Sequence, residues 1–311
     1  RIKGEIMRIV LDPGKEKRSI NFIDNIPFSH VKDMNGNEIV LYMSLCVQNG
    51  NSEMRLASGI DDEVSTGKQP VIVWINGAGF RGCDKNLMAA EMMFLAEHGY
   101  ALAFIDYRSS YQAKYPAQVE DCKTAVRFLR AHADKYNLDP ERVGAIGRSA
   151  GGYLTAYLAN NGEDHITDEW NGYSSKIKAA VDLFGPVDLA MFNDYSAKLI
   201  AQPGYRWSKM EQTHEGLLMG GDMKTLRERC EKACPDNYVS KNTCPIAIFH
   251  GDEDTIVPLE NSEHYYQKLV EAGLEDQSML YVIRHGGHGT RELFQNSVKE
   301  YIVQFFDKYL K

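Results

Sequence analysis

Several things that would each have set a class are missing from this sequence. No block of lysine and arginine is long enough to track a phosphate backbone, and 35 basic residues against 43 acidic ones leave a formal charge of −8. Nucleic acid is therefore not expected as a partner. No apolar run approaches the roughly 18 residues that a spanning helix needs, so no membrane partner is expected. The opening segment carries Arg1, Lys3, Glu5, Arg8, Asp12 and Lys15 and does not read as a signal peptide. Among Cys46, Cys83, Cys122, Cys230, Cys234 and Cys244 there is no C-x-x-C pair. Cys230 and Cys234 would share one helix face, a poor geometry for a disulfide. The thiols read as reduced and Cys83 as inert, which implies a cytoplasmic location unless a secretion leader has been removed. No glycine-rich phosphate loop follows the first apolar strand, and no His/Cys/carboxylate cluster has metal-ligand spacing. Neither a cofactor nor a metal is expected.

What is present is an alternation. Residues 1–50 read as an N-terminal arm and a hairpin, with strands at Ile26–Val31 and Ile39–Val47 around Met34-Asn35-Gly36-Asn37. A polar connection at 49–69 leads into Val71-Ile72-Val73-Trp74-Ile75, unbroken in the way a strand covered on both faces requires. A helix is expected near Leu87–Glu97 and a strand at Tyr100–Ile105. Pro116 then opens a helix whose Val119, Cys122, Val126, Leu129 and Ala133 form an apolar stripe. Further strands are expected before Gly147, at Ile177–Phe184, from Pro245 to Phe249 and at Ser278–Arg284, with helices at Asn261–Ala272 and Arg291–Tyr309. Residues 190–243 break the rhythm as a lid-like insertion, with one helix expected at Met223–Ala233. Strand and helix alternating along the chain predict one doubly wound, mostly parallel α/β sheet, a single domain over 1–311.

Active groups in such sheets sit at the carboxyl ends of the strands. There, Gly147-Arg148-Ser149-Ala150-Gly151 has the small residues that a sharp strand-to-helix turn needs, a nucleophile elbow of the α/β-hydrolase kind. A serine nucleophile requires a base for its proton and a carboxylate to orient that base. The order Ser149, Asp254, His288 fits. His285 competes with His288 as the base but lies nearer the strand, where it can be a packing residue. Asp252 and Glu253 compete with Asp254, and Asp252 can instead tie down the turn after Gly251. Amide donors for an oxyanion are expected from Ala150, at the start of the following helix, and from Ala78 and Gly79 in Asn76-Gly77-Ala78-Gly79. Asp106, Tyr107 and Arg108 read as loop braces and Asp188 as a turn residue. Phe80, Tyr195, Tyr205 and Trp207 are candidates for substrate contact. The last three can equally pack the insertion onto the body.

From about 68 to 310 the chain resembles the α/β-hydrolase esterases grouped with the bifunctional feruloyl and acetyl-xylan esterases, relatives of the hormone-sensitive-lipase-like group. The shared pieces are Trp74–Gly82, Asp106-Tyr107-Arg108, Pro116-Ala117-Gln118 with Asp121, Gly147–Gly152, Gly185-Pro186-Val187-Asp188, Leu217–Gly221, His250–Asp254 with Val257-Pro258, and Gly287-His288-Gly289. The resemblance implies a serine carboxylesterase acting on acetyl or feruloyl esters of plant-polysaccharide fragments, with a small-molecule or oligosaccharide ester as partner. An amide-bond hydrolase of the arylformamidase or small exopeptidase kind, or an idle hydrolase fold used for binding, are the competing readings. One departure is Asn76-Gly77-Ala78-Gly79 where the group has His-Gly-Gly-Gly. Asn76 is expected to brace the loop, and Ala78 to narrow the oxyanion site and resist positive φ.

Overall fold

The apolar runs assemble into eight strands: β1 Ile20–Lys32, β2 Glu38–Gln48, β3 Gln69–Ile75, β4 Ala101–Ile105, β5 Leu138–Arg148, β6 Ala179–Leu183, β7 Ile246–Gly251 and β8 Ser278–Ile283. The computed structural model describes residues 9–12, 19–48, 67–82, 84–162 and 164–311. The start of the expected arm, most of the 49–69 connection and Cys83 lie outside them. One sheet holds all eight strands in the order β1-β2-β4-β3-β5-β6-β7-β8. β1 and β2 run antiparallel to their neighbours, and β4 through β8 are joined by parallel pairing. This is the expected α/β-hydrolase architecture.

Helices cover both faces, which is why β3, β4, β6 and β7 are buried along their whole length. Along β3 the side chains alternate between two cores. Val71, Val73 and Ile75 join a cluster with α2 (Ala117–Ala131), α4 (Ala150–Ala159) and α8 (Leu259–Glu271). Ile72 and Trp74 join another with α1 (Ala89–Glu97) and α9 (Asn296–Leu310). The predicted stripe of α2 is buried, but the helix ends at Ala131. Ala133 sits on a separate turn, α3 (Ala133–Tyr136). β5 begins at Leu138, ahead of Pro140, because a register shift between Gln69 and Val71 of β3 absorbs the residue that has no N–H to donate.

The insertion between β6 and β7 holds three α-helices where one helix was expected, α5 Leu189–Ile200, α6 His214–Met219 and α7 Arg227–Lys232, with short 3-10 turns at Met210–Gln212 and Pro235–Tyr238. Asp188 is its first cap, accepting from the Met191 amide at 2.9 Å. No helix among the described residues is long and apolar enough to cross a membrane. Cys46, Cys122, Cys230, Cys234 and Cys244 are free and buried.

Candidate active site

Because β3, β5, β6, β7 and β8 are parallel neighbours, their carboxyl ends open on one edge of the sheet. At the end of β5 the chain turns into α4 through Ser149, with φ 52° and ψ −122°. Backbone held there costs a non-glycine residue on the order of 1–3 kcal/mol and persists only where its surroundings enforce it. The Ser149 amide is tied to the Leu183 carbonyl of β6 at 2.8 Å, and the Tyr153 amide to the Ser149 carbonyl at 3.1 Å. The turn leaves the hydroxyl pointing away from the core.

His288, in the loop after β8, reaches that hydroxyl: Nε2 lies 2.9 Å from Ser149 Oγ and Nδ1 2.7 Å from Asp254 Oδ2. An ionised carboxylate can only accept, so Nδ1 carries the ring proton and Nε2 is left to receive the serine proton. The Phe184 ring packs edge-on against this imidazole, 4.7 Å between centroids. Asp254 is heavily tied. Its Oδ1 accepts from the Ile256 and Val257 amides at 2.8 and 3.0 Å. Burial pushes its pKa up, but hydrogen bonds from His250 and His288 outweigh this and hold it well below the ordinary carboxylate range.

His250 is a contributor that sequence reasoning passed over. It is fully buried, and its Nε2 lies 2.9 Å from the Val257 carbonyl and 3.3 Å from Asp254 Oδ2. A carbonyl accepts, so Nε2 is protonated and Nδ1 accepts a hydrogen bond from the Ser262 hydroxyl at 2.7 Å. The competing residues point elsewhere. Asp252 accepts from the His285 amide at 2.6 Å, and the exposed His285 ring pairs with Glu253 at 2.9 Å. His285 is therefore neither base nor packing residue.

The oxyanion loop leaves β3 and presses against the elbow. A Cβ at Gly77 would stand 2.2 Å from the Arg148 carbonyl and 3.0 Å from the Ala150 nitrogen, so only glycine permits this approach. Gly77, Ala78, Gly79 and Ala150 thus share with Ser149 and His288 one cavity of about 210 Å³. The left-handed backbone falls at Gly79 and Phe80, both φ 59°, and not at Ala78. Ala78 itself keeps a φ that is not positive, as its Cβ favours. Asn76 does brace the loop: Nδ2 donates to the Asp84 carbonyl at 3.3 Å, and Oδ1 accepts from Arg148 Nε at 2.7 Å. Behind it, Tyr107 donates to the Asn76 carbonyl at 2.8 Å, and Asp106 Oδ2 accepts from the Tyr42 amide at 3.3 Å. Arg108 forks onto the buried Asp121, with NH2 at 2.7 Å and Nε at 2.9 Å. Burial raises the Asp121 pKa to about 6 even against that guanidinium.

The insertion supplies the outer wall. Phe192, Arg206 and His214 line the Ser149 cavity and also an adjoining one of about 320 Å³ that extends to Tyr205 and Trp207. Phe80 lines the inner cavity, packed edge-on against Tyr153. Tyr195 lines neither, donating instead to the Thr255 carbonyl at 2.9 Å. Trp207 is half-buried, with charged and aromatic partners on its ring. Arg206 and Arg81 lie over it at 4.0 and 5.3 Å, and His214 meets it edge-on at 4.8 Å. His214 itself was invisible beforehand: it opens a six-residue helix in a stretch without periodicity. Burial, then Arg81 and Arg206, push its pKa down to about 4, so it is neutral near pH 7.

Elsewhere the fold gathers what sequence spacing did not. Asp188, Asp236 and His264 bring one ligand atom each within 4.8 Å of one another, a cluster not expected from the sequence. Lys268 Nζ, 2.6 Å from Asp236 Oδ2, already supplies the positive charge there, so the group reads as an ion-pair network.

The chain has relatives among known proteins. "Esterase LipC" of Mycobacterium tuberculosis is 24% identical over 73% of this chain and 54% of its own length. "Probable carboxylic ester hydrolase LipM" of the same organism is 25% identical over 66% of this chain and 46% of its own. The chain spans about half the length of the curated relatives it matches. Among solved structures, a truncated carbohydrate esterase from gut microbiota superposes with a TM-score of 0.72 at 23% identity, covering 95% of this chain and 98% of the other. An acetyl ester-xyloside bifunctional hydrolase from Caldicellulosiruptor lactoaceticus gives 0.65 at 22%, covering 91% and 96%. At that identity the likeness is one of fold. A family model matches residues 61–269, well over half the sequence, and spans the oxyanion loop, the elbow and the Asp254 loop: the chain belongs to the BD-FAE family.

Proposed function

We propose that this protein is a serine carboxylic-ester hydrolase that works through an acyl-enzyme, with Ser149 as nucleophile, His288 as base and then acid, and Asp254 as the group that orients and charge-balances the imidazole. Ser149 Oγ adds to the ester carbonyl as its proton passes to His288 Nε2. The carbonyl oxygen takes up the negative charge within reach of the Ala150, Ala78 and Gly79 amides. The C–O bond to the alcohol then breaks, and His288 returns the proton to the leaving oxygen. Water repeats the sequence on the acyl-serine, releasing the acid. The observation that carries this reading is the continuous chain Ser149 Oγ, His288 Nε2, His288 Nδ1, Asp254 Oδ2, at 2.9 and 2.7 Å.

The finer reading is that the acyl group is short, acetyl or feruloyl, and is carried on plant-polysaccharide fragments. The likeness in fold to the carbohydrate esterase and the acetyl ester-xyloside hydrolase supports it. So does an inner cavity of about 210 Å³, a volume suited to a small acyl group, with the adjoining space left for the remainder. The test compares 4-nitrophenyl acetate, an acetylated xylooligosaccharide and an aminoacyl anilide, alongside fluorophosphonate labelling of the wild type and of Ser149→Ala. Ester turnover and labelling that both vanish in Ser149→Ala are expected. A preference for the anilide would refute the ester reading, and labelling that persists without Ser149 would refute the nucleophile.

A further inference from the structure

The charged side chains around the Ser149 cavity have one sign. Arg148 and Arg206 line it, Arg206 also lines the adjoining cavity, and neither wall contains an aspartate or glutamate among the described residues. This stands against a chain with 43 acidic and 35 basic residues. Electrostatic chance favours the opposite.

The nearby arginines are not equivalent. Arg148 is turned to Asn76 and braces the loop. Arg81 spends its donors on neutral acceptors: Nε on His214 Nδ1 at 3.0 Å, one amino group on the Tyr111 hydroxyl at 2.7 Å and the other on the Gln212 carbonyl at 2.5 Å. Arg206 is held differently, by stacking at 4.0 Å over the Trp207 ring, with one amino group 3.4 Å from His214 Nε2. It makes no ion pair with a carboxylate among the described residues. The Arg206 guanidinium carbon sits over the indole, a contact that holds the group against Trp207, and no carboxylate among the described residues occupies its N–H donors. His214 beside it is neutral near pH 7, because burial and the two guanidiniums push its pKa down to about 4. Arg206 is itself exposed, so what it brings to the two cavities is a directed pair of N–H donors more than an unscreened charge.

We propose that Arg206, seated on Trp207, is the recognition group for an anionic substituent, and that the substrate class of this site is an ester whose acyl or alcohol part carries a carboxylate. This rests on the ester-hydrolase reading above. A carboxylate presents two oxygens that match the planar fork. It would occupy the space shared by the two cavities, beyond the reacting carbonyl, and take no part in the bond changes.

The test measures kcat/KM for two matched pairs, ethyl hydrogen glutarate against ethyl pentanoate and 4-acetoxybenzoate against 4-acetoxybenzamide, in wild type, Arg206→Gln and Arg206→Lys. A hydrogen bond to a charged group predicts a preference for the anionic member of at least one pair of about tenfold to a hundredfold. That preference should shrink as salt is added, fall at least fivefold in Arg206→Gln and survive in part in Arg206→Lys. Each value is a ratio within one preparation, so partial loss of folded enzyme does not alter it. Turnover of the neutral esters with no preference for either anion in the wild type would overturn this inference alone. So would a preference that persists undiminished in Arg206→Gln. Hydrolysis of none of the four esters would overturn the ester-hydrolase reading, and the subsite with it.

Discussion

Replacing Gly79 by alanine tests the junction between the oxyanion loop and the insertion. The new Cβ would lie 2.0 Å from His214 Nδ1 and 2.3 Å from its Cε1, well inside any real contact. His214 has little room to retreat, since Nδ1 holds Arg81 Nε at 3.0 Å and the ring is set edge-on against Trp207. Gly79 also has φ +59°, which costs an L-residue about 1–2 kcal/mol. The loop must therefore move, and its amides leave the positions facing the reacting carbonyl. Losing one such donor typically lowers kcat by about a hundredfold to a thousandfold. We expect a loss of that order in kcat for 4-nitrophenyl acetate, with a melting temperature lowered by a few degrees. Adding His214→Ala removes the obstacle but leaves the backbone cost. The double variant should recover at least about tenfold over Gly79→Ala, a coupling of about 1.4 kcal/mol. Strictly additive effects would refute the steric account, as would full activity in the single variant.

Two further outcomes follow from buried groups. Asp182 in β6 accepts from the Gly185 amide at 2.9 Å through Oδ1, while Oδ2 has no partner, and burial raises its pKa to about 7. A carboxyl raised in the folded state binds its proton more tightly there than when unfolded, so the stability this group contributes is fully present below about pH 4, declines as pH climbs towards 7 and then levels. A shift from 3.8 to about 7 caps this decline at roughly 4 kcal/mol. In Asp182→Asn, urea unfolding at pH 5 and pH 8 should differ by less than in the wild type, and an unchanged difference would refute the assignment. His250→Phe keeps the ring but removes the N–H that faces Asp254 and the Val257 carbonyl. It should lower kcat by about tenfold to a hundredfold with KM little changed. A change in KM alone would mark His250 as a packing residue.

Local chemistry made the centre of this site readable in the sequence. Ser149 sits among small residues because the elbow and the oxyanion loop touch, and Asp254 and His288 follow strand ends that an apolar run announces. The order of the three residues along the chain did the rest. The wall was not readable in the same way. Arg206 and His214 lie in a segment of short helices without an apolar stripe, and they meet the site only because the insertion folds back over it. Trp207 was noticed for its ring, but its role is to hold two guanidiniums, which depends on neighbours distant in sequence or unmarked by any pattern. His250 was read as part of a motif. Only its burial beside Asp254 gives it a task.

The insertion between β6 and β7 contributes none of Ser149, Asp254 or His288, yet it carries Arg206 and His214. On the proposed function and the proposed Arg206 subsite, cutting and part of the choosing are written in separable parts of the chain. An exchange of residues 189–243 between family members should transplant preference while leaving the bond-breaking apparatus native, provided that the graft brings a side chain shaped to rest on Gly79. In this protein a single imidazole serves as the gasket between a replaceable cover and a fixed engine.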